Sequence, residues 1–241
     1  MSGHSKWSNI KHKKEKSDAA KAKIFTKIGK EMAVAIKAGG PDPNVNSKLR
    51  DLIAKAKANN VPNDNIQRTI KKFTDNSDIV YEEITYEGYG PSGVAIIVET
   101  ATDNRNRTAG NVRAWFNKYG GNMGQSGSVS YLFEEKGVIT IMDEDSEIDE
   151  DKIMEDALEC GAEDIKCDEG EYTVYTSVQE LDSVRDAIIA LGYKIETADA
   201  AKVPTTYVTL ENQEDIENME KMLDKFNEDD DVNAVFTNWD N

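Results

Sequence analysis

The apolar positions of the first 75 residues repeat with the period of an α-helix and predict three amphipathic helices. The first begins at the candidate N-cap Ser17 and ends at Gly39-Gly40-Pro41. The second runs from about Asn46 to just before Asn59, and Asn63 is the expected cap of the third. Their apolar positions are Ile24, Ile28, Met32, Ala35 and Ile36, then Leu49, Leu52, Ile53 and Ala56, then Ile66, Ile70 and Phe73.

Beyond Asp75 the period changes from 3.6 to 2, which indicates β-strands. The segment DIVYEEITYEGYGPSGVAIIVETATD predicts two strands around a Gly-Pro-Ser-Gly turn, because β-branched and aromatic residues dominate on both sides. A helix is expected over NRNRTAGNVRAWFNKYGG and a strand over SVSYLF. This stretch therefore predicts an incomplete ββαβ unit.

Residues 136–202 have the order βαββαβ, which is typical of a ferredoxin-like sandwich. The strand and helix that follow Pro204 need a sheet to join, and the incomplete unit is the one available. We therefore expect an α+β multidomain protein in which an all-helical domain precedes two α+β domains, the last inserted into the middle one. The expected boundaries are 1–76 for the basic arm and helical domain, 77–134 with 203–241 for the discontinuous domain, and 135–202 for the insertion.

Charge is distributed unevenly along the chain, whose formal net charge is −17. Residues 1–75 contain 15 lysines, 2 arginines and 7 acidic residues, a balance of +10, whereas the rest has 12 basic and 39 acidic residues, a balance of −27. A basic module joined to an acidic body suggests a nucleic-acid contact at the start of the chain. A lysine-coated helical face is the ordinary alternative.

Candidate nucleic-acid-binding residues are concentrated before the first apolar helix. The lysines there would contact phosphates, and an aromatic ring between them could stack on an exposed base. The alternative is that Trp7 packs back onto the helical domain while the lysines stay solvated. The candidates are Lys6, Trp7, Lys11, His12, Lys13, Lys14 and Lys16, followed by Lys21 and Lys23 in the first helix.

Arg105 and Arg107 are further candidates, because they are expected in the first turn of a helix, where positive charge opposes the helix dipole. With Arg113 they make up half of the 6 arginines in the chain. A guanidinium in this unfavourable position is reasonable if it meets phosphate or an acidic domain. An internal arginine–carboxylate pair satisfies the same geometry, and both possibilities stay open.

Other chemistry finds little support in the sequence. Cys160 and Cys167 are expected to be buried, reduced thiols, and His4 and His12 lack the neighbours that a zinc site needs. The glycine-rich GGNMGQSGS lacks the lysine of a phosphate loop and reads as a turn leading into an edge strand. We expect no metal, cofactor, small-molecule substrate or membrane span, and no enzymatic activity, in a cytosolic protein.

Six ordered segments within residues 3–129 are distinctive: GHSKWSNIKHKK, DAAKAKIFTKIGKEM, GGPDPNVNSKLRDLIAKAKANNVPNDNIQRTIKK, YEGYGPSGVAIIVE, TDNRNRTAGNVR and GNMGQSGSV. Together they resemble the YebC/PmpR family, whose mitochondrial relative is a translational activator for a cytochrome oxidase subunit, and the resemblance covers essentially the whole chain. It implies three domains, helical and then twice α+β, and a non-enzymatic regulator of gene expression.

Two functions within that family fit the sequence. The first is a DNA-binding transcriptional regulator, and the second is a ribosome-associated translation factor that relieves stalling at proline-rich stretches, with ribosomal RNA, tRNA or ribosomal proteins as partners. A third possibility is an acidic interaction scaffold that binds a basic partner. The sequence has no helix-turn-helix or RNA-recognition signature, so we expect mainly backbone contacts.

Overall fold

The computed structural model describes residues 18–75, 79–143, 148–168 and 170–240. They form two compact units: the first contains the described residues of 9–130 with 210–237, and the second contains those of 131–209 with 238–240. The fold is α+β, with a helical region followed by sheets, as expected. The first unit joins the helical region to a sheet, and the three-part domain division drawn from the sequence remains a prediction.

Three helices form the start of the first unit: α1 (Asp18–Gly39), α2 (Ser47–Ala58) and α3 (Asn63–Thr74). Their apolar faces meet in one core, where each fully buried leucine or isoleucine contributes about 2 kcal/mol. The buried residues of this core include Ile28, Met32, Leu49, Leu52 and Ile66.

Asn46 fixes the corner between α1 and α2. Its side-chain oxygen accepts from the amide of Leu49 at 3.1 Å, and its amide group donates to the carbonyls of Ala35 at 2.8 Å and Gly40 at 2.7 Å. Asn46, near which the sequence predicted the start of this helix, is the N-cap of α2. The expected cap at Asn63 is wrong, because α3 already begins at Asn63 and the capping position is Pro62, which has no side-chain donor or acceptor.

The first unit continues with a sheet and two helices, whose elements are β1 (Glu82–Tyr89), β2 (Ala95–Thr102), α4 (Arg105–Lys118), β3 (Asn122–Met123), α7 (Gln213–Glu228) and β9 (Val232–Thr237). The sheet has the strand order β3-β1-β2-β9 and is antiparallel. Its core is the fully buried run Ala95–Val98. The helices α4 and α7 complete the unit, and Phe116 and Phe226 on these helices have ring centroids 5.2 Å apart.

The second unit contains the expected ferredoxin-like sandwich, whose elements are β4 (Phe133–Met142), α5 (Glu150–Glu159), β5 (Asp164–Asp168), β6 (Glu171–Thr176), α6 (Leu181–Ala190) and β7 (Ile195–Pro204). The strand order is β5-β6-β4-β7, and the sheet is antiparallel. The apolar core includes Ile139 and Ile141 from the sheet and Ile153 and Ile188 from the helices. A short parallel pair, β8 (Val208–Thr209) with β10 (Trp239–Asp240), completes the unit.

Two expectations about local structure are wrong. The segment SVSYLF is not a strand: residues Ser130–Leu132 form a 3₁₀ turn, and β4 begins only at Phe133. The amides of Val129 and Ser130 donate to a side chain, as described below, and so do not join a strand ladder. The two cysteines are free thiols, but neither is buried, since Cys160 is half-buried and Cys167 is exposed.

Candidate nucleic-acid interface

Most of the candidate residues in the basic arm lie outside the described residues. This holds for Lys6, Trp7, Lys11, His12, Lys13, Lys14 and Lys16, and Lys21 lies in α1 without a described side chain. Their roles remain predictions.

Lys23 belongs to a row of lysines on α1 that reaches the C-terminal end of α7. Lys23 Nζ donates to the carbonyl of Glu228, and Lys27 Nζ donates to that of Asn227 at 3.1 Å. Lys30 Nζ donates to the carbonyl of Asp230 at 2.8 Å. Because a helix C-terminus carries exposed carbonyls and partial negative charge, these three ammonium groups stabilise α7 and join it to α1.

The carboxylate of Asp231 lies at the centre of the contact between α1 and the end of α7, and the side chain of Asp231 is only 5% exposed. It accepts from Lys30 Nζ at 2.6 Å, Arg107 Nη2 at 2.6 Å and Thr108 Oγ1 at 2.8 Å. Burial alone raises the pKa of the Asp231 carboxyl, but the hydrogen bonds from these donors outweigh burial and lower the pKa to about 2. Asp231 is therefore ionised at any physiological pH.

Arg107 makes the internal pair that the sequence left open as one of two possibilities. Besides Asp231, its guanidinium contacts Asp103 at 2.8 Å, and these hydrogen bonds raise the pKa of Arg107 further above its ordinary value. The pairing explains why a cation stands at the start of α4, since two carboxylates outweigh the unfavourable helix dipole. Arg105 is exposed, and no described carboxylate forms an ion pair with it. Its role in nucleic-acid binding remains a prediction.

The glycine-rich segment is organised around an internal anion. Glu87, on β1 and 5% exposed, accepts from the backbone amides of Gly127, Val129 and Ser130 at 2.8 to 2.9 Å. Burial raises the pKa of Glu87, but these amide donors outweigh burial and lower it below its ordinary value. The amides that could cradle a phosphate are thus already occupied by a carboxylate.

The helical region has further cations that were not among the candidates predicted from the sequence. They lie on the polar faces of α2 and α3, away from Leu49 and Ile66, and each is exposed. The amphipathic pattern could have identified them, because residues opposite a buried stripe face solvent. We call them the α2–α3 cations: Arg50, Lys57, Arg68, Lys71 and Lys72.

Neither a metal-binding cluster nor a membrane-spanning helix occurs in the described ranges. No group of three or more histidine, cysteine, aspartate or glutamate side chains in them could hold a metal ion. No helix in the same ranges has the length and apolar character needed to cross a membrane.

The fold and these surfaces define a multidomain α+β protein with a basic helical region and an acidic remainder. Family models for the TACO1/YebC protein N-terminal domain and for the TACO1/YebC second and third domain match residues 5–76 and 81–239. The chain belongs to the TACO1/YebC family.

Relatives and a solved structure resemble the chain over nearly its whole length. It is 52% identical over 240 residues to a "Probable transcriptional regulatory protein" of Acetivibrio thermocellus, covering 99% of each chain. It is 53% identical over 241 residues to a protein of the same name from Agathobacter rectalis, covering 100% of each. The crystal structure of a conserved hypothetical protein from Aquifex aeolicus is similar with a TM-score of 0.82 and 42% identity, over 92% of this chain and 91% of that one.

Proposed function

We propose that the protein is a cytosolic, non-enzymatic regulator of gene expression that binds nucleic acid, and that it acts as a DNA-binding transcriptional regulator. The relatives named as probable transcriptional regulatory proteins support the regulatory role. The observation that supports nucleic-acid binding is the exposure of the α2–α3 cations on a chain whose formal net charge is −17.

The acidic residues beyond the helical region would orient the protein on the nucleic acid. Phosphates are repelled by the acidic residues beyond the helical region and attracted by the α2–α3 cations, so the helical region would face the nucleic acid. The arm candidates Lys6 to Lys16 and the exposed Arg105 would extend the contact. Lys23 and Arg107 would contribute only if they left the carbonyl and carboxylate groups that they contact.

Parallel binding titrations test the proposal. The full chain is titrated against duplex DNA and against ribosomal RNA by fluorescence anisotropy at several salt concentrations. Tighter binding to duplex DNA at physiological salt, with an affinity that falls steeply as salt rises, is the expected result. A preference for ribosomal RNA or intact ribosomes would instead favour the translation factor, and no binding to either would leave the acidic scaffold.

A further inference from the structure

We propose that α3 enters the major groove of duplex DNA and that Gln67 and Arg68 contact base edges there, with Lys71 on a flanking phosphate. The inference rests on the proposed function and deepens it. It assigns recognition of the DNA sequence to α3, a helix that the amino-acid sequence alone did not single out. It replaces the expectation of mainly backbone contacts.

The connection between α2 and α3 resembles the turn of a helix-turn-helix unit. Two helices of 12 residues each are joined by four residues, Asn59–Pro62, and Asn60 adopts the left-handed conformation at φ +57°. The turn is closed by hydrogen bonds from the Asn60 amide to the Lys57 carbonyl at 2.9 Å and from the Val61 amide to the Ala56 carbonyl at 3.0 Å. Both helices are held on α1 by the shared apolar core. In helix-turn-helix proteins the second helix of such a pair lies in the groove.

The outward face of α3 has the residue types that read bases. Ile66 is buried, whereas Gln67, Arg68 and Lys71 are exposed; Lys71 lies four residues after Gln67 and three after Arg68, so it neighbours both on the helix surface. Glutamine pairs with adenine and arginine with guanine through two hydrogen bonds in the major groove, which is wide enough to admit an α-helix. A 12-residue helix is about 18 Å long, sufficient to follow the groove.

These side chains are available for binding, unlike Lys23, Lys27 and Lys30 of α1. Ion pairs of the helical region include those of Lys23, Lys30 and Lys48, and in the described ranges no ion pair uses Arg68 or Lys71. Asp64, one turn before Gln67 on the same face, is also exposed. A carboxylate there repels phosphate but can accept a hydrogen bond from the cytosine amino group. This face of α3 therefore favours contacts with base edges over indiscriminate binding to the DNA backbone.

Duplex RNA is the less favoured occupant. The major groove of A-form RNA is too deep and narrow for a helix to reach the bases. An RNA partner would therefore leave Gln67 and Arg68 without their contacts, and such a partner is an outcome of the test below.

The test is selection of bound duplexes from a randomised DNA library by the full chain, followed by anisotropy titrations on the selected duplex and on a scrambled one. We expect the wild type to select a preferred sequence. Arg68→Ala should lose that preference at one or two adjacent positions and weaken binding to the selected duplex about tenfold, while binding to the scrambled duplex changes less than about threefold.

Two matched variants separate base reading from general charge. Arg68→Lys keeps the charge but not the two-pronged hydrogen bonding, so it should retain affinity for the scrambled duplex and lose the preference. Arg50→Ala, an exposed arginine on α2, should weaken binding to both duplexes equally. Circular dichroism melts establish that each variant is folded, which their exposure predicts.

The possible failures are distinguishable. Unchanged sequence preference in both Gln67→Ala and Arg68→Ala would overturn the role of α3 while leaving a DNA-binding regulator in place, and so would a wild type that binds duplex DNA without any preference. A wild type that binds ribosomal RNA but no duplex DNA would overturn both the inference and the proposed function.

Discussion

The guanidinium of Arg107 lies 2.6 Å from the buried carboxylate of Asp231, although 124 positions separate the two residues along the chain. Lys30 of α1 donates to the other oxygen of the same carboxylate at 2.6 Å. One acidic side chain therefore joins the helical region, the first turn of α4 and the segment after α7.

Replacing Asp231 should destabilise the first unit. Asp231→Asn leaves Lys30 and Arg107 without their shared counter-charge, and breaking a buried ion pair from one side costs about 3 kcal/mol. Chemical denaturation with a fluorescence readout measures the loss. Asp230→Asn is the matched control, because the Asp230 side chain is 63% exposed and its substitution should cost less than about 0.5 kcal/mol. Equal effects of the two substitutions would contradict the central role of Asp231.

The same carboxylate predicts an acid-dependent loss of stability. The pKa of Asp231 in the folded protein is about 2, below the ordinary value of 3.8, so its contribution is fully present above about pH 4 and is lost as the pH falls towards 2. The stability difference between wild type and Asp231→Asn, measured by urea unfolding, should shrink below pH 4. A difference that stays constant from pH 7 to pH 2.5 would show that Asp231 does not titrate as described.

The arginine pair at the start of α4 should separate into two different effects. Arg107→Ala should lower the free energy of unfolding by about 2 kcal/mol, because it removes charge-assisted hydrogen bonds to Asp231 and Asp103. Arg105→Ala should change it by less than about 0.5 kcal/mol, since Arg105 is exposed. Thermal melts and DNA titrations of both variants check this. Should Arg107→Ala weaken DNA binding and leave stability unchanged, phosphate contact rather than the internal pair would be its function.

Glu87 should hold the glycine-rich segment in place. Glu87→Gln replaces a carboxylate that accepts three amide hydrogen bonds by a side chain with a single acceptor oxygen, and we expect a loss of about 2 kcal/mol. Hydrogen exchange at the amides of Gly127, Val129 and Ser130 should speed up. Glu83→Gln on the same strand is the control, because Glu83 is exposed and forms an ion pair with an exposed lysine, Lys48. Unaltered exchange in Glu87→Gln would refute the role of this carboxylate.

The sequence predicted the parts of the fold that depend on local periodicity. The helix around Ile28, the helix around Leu49 and the successive elements of the βαββαβ unit each follow from the hydrophobic spacing within that element. Lys30 and Asp231 are 201 positions apart along the chain, and both are charged residues of the kind usually found at the protein surface. No local pattern in the sequence therefore indicates their contact. The error at SVSYLF has the same origin, because the amides of Val129 and Ser130 in that segment donate to Glu87, more than 40 positions earlier.

The candidate site was predicted only in outline. The excess of positive charge before residue 76 pointed to the helical region, but charge alone could not tell which cations remain exposed. Lys23 and Arg107 looked available in the sequence and are engaged in the structure. Arg68 and Lys71 were not predicted as candidates from the sequence, because the turn between α2 and α3 that suggests a role for α3 is visible only in the structure.

The salt dependence of duplex DNA binding tests the central claim most directly. The affinity of the wild type and of an Arg68→Ala, Lys71→Ala, Lys72→Ala variant is measured on one duplex from low to physiological salt. A triple alanine variant at Lys152, Lys194 and Lys221, exposed lysines outside the helical region, is the control. Each phosphate contact contributes about 0.9 to the slope of log affinity against log salt, so the α3 variant should lose about two units of slope and the control none. A slope that is the same in all three proteins would contradict the claim that α3 binds the nucleic acid.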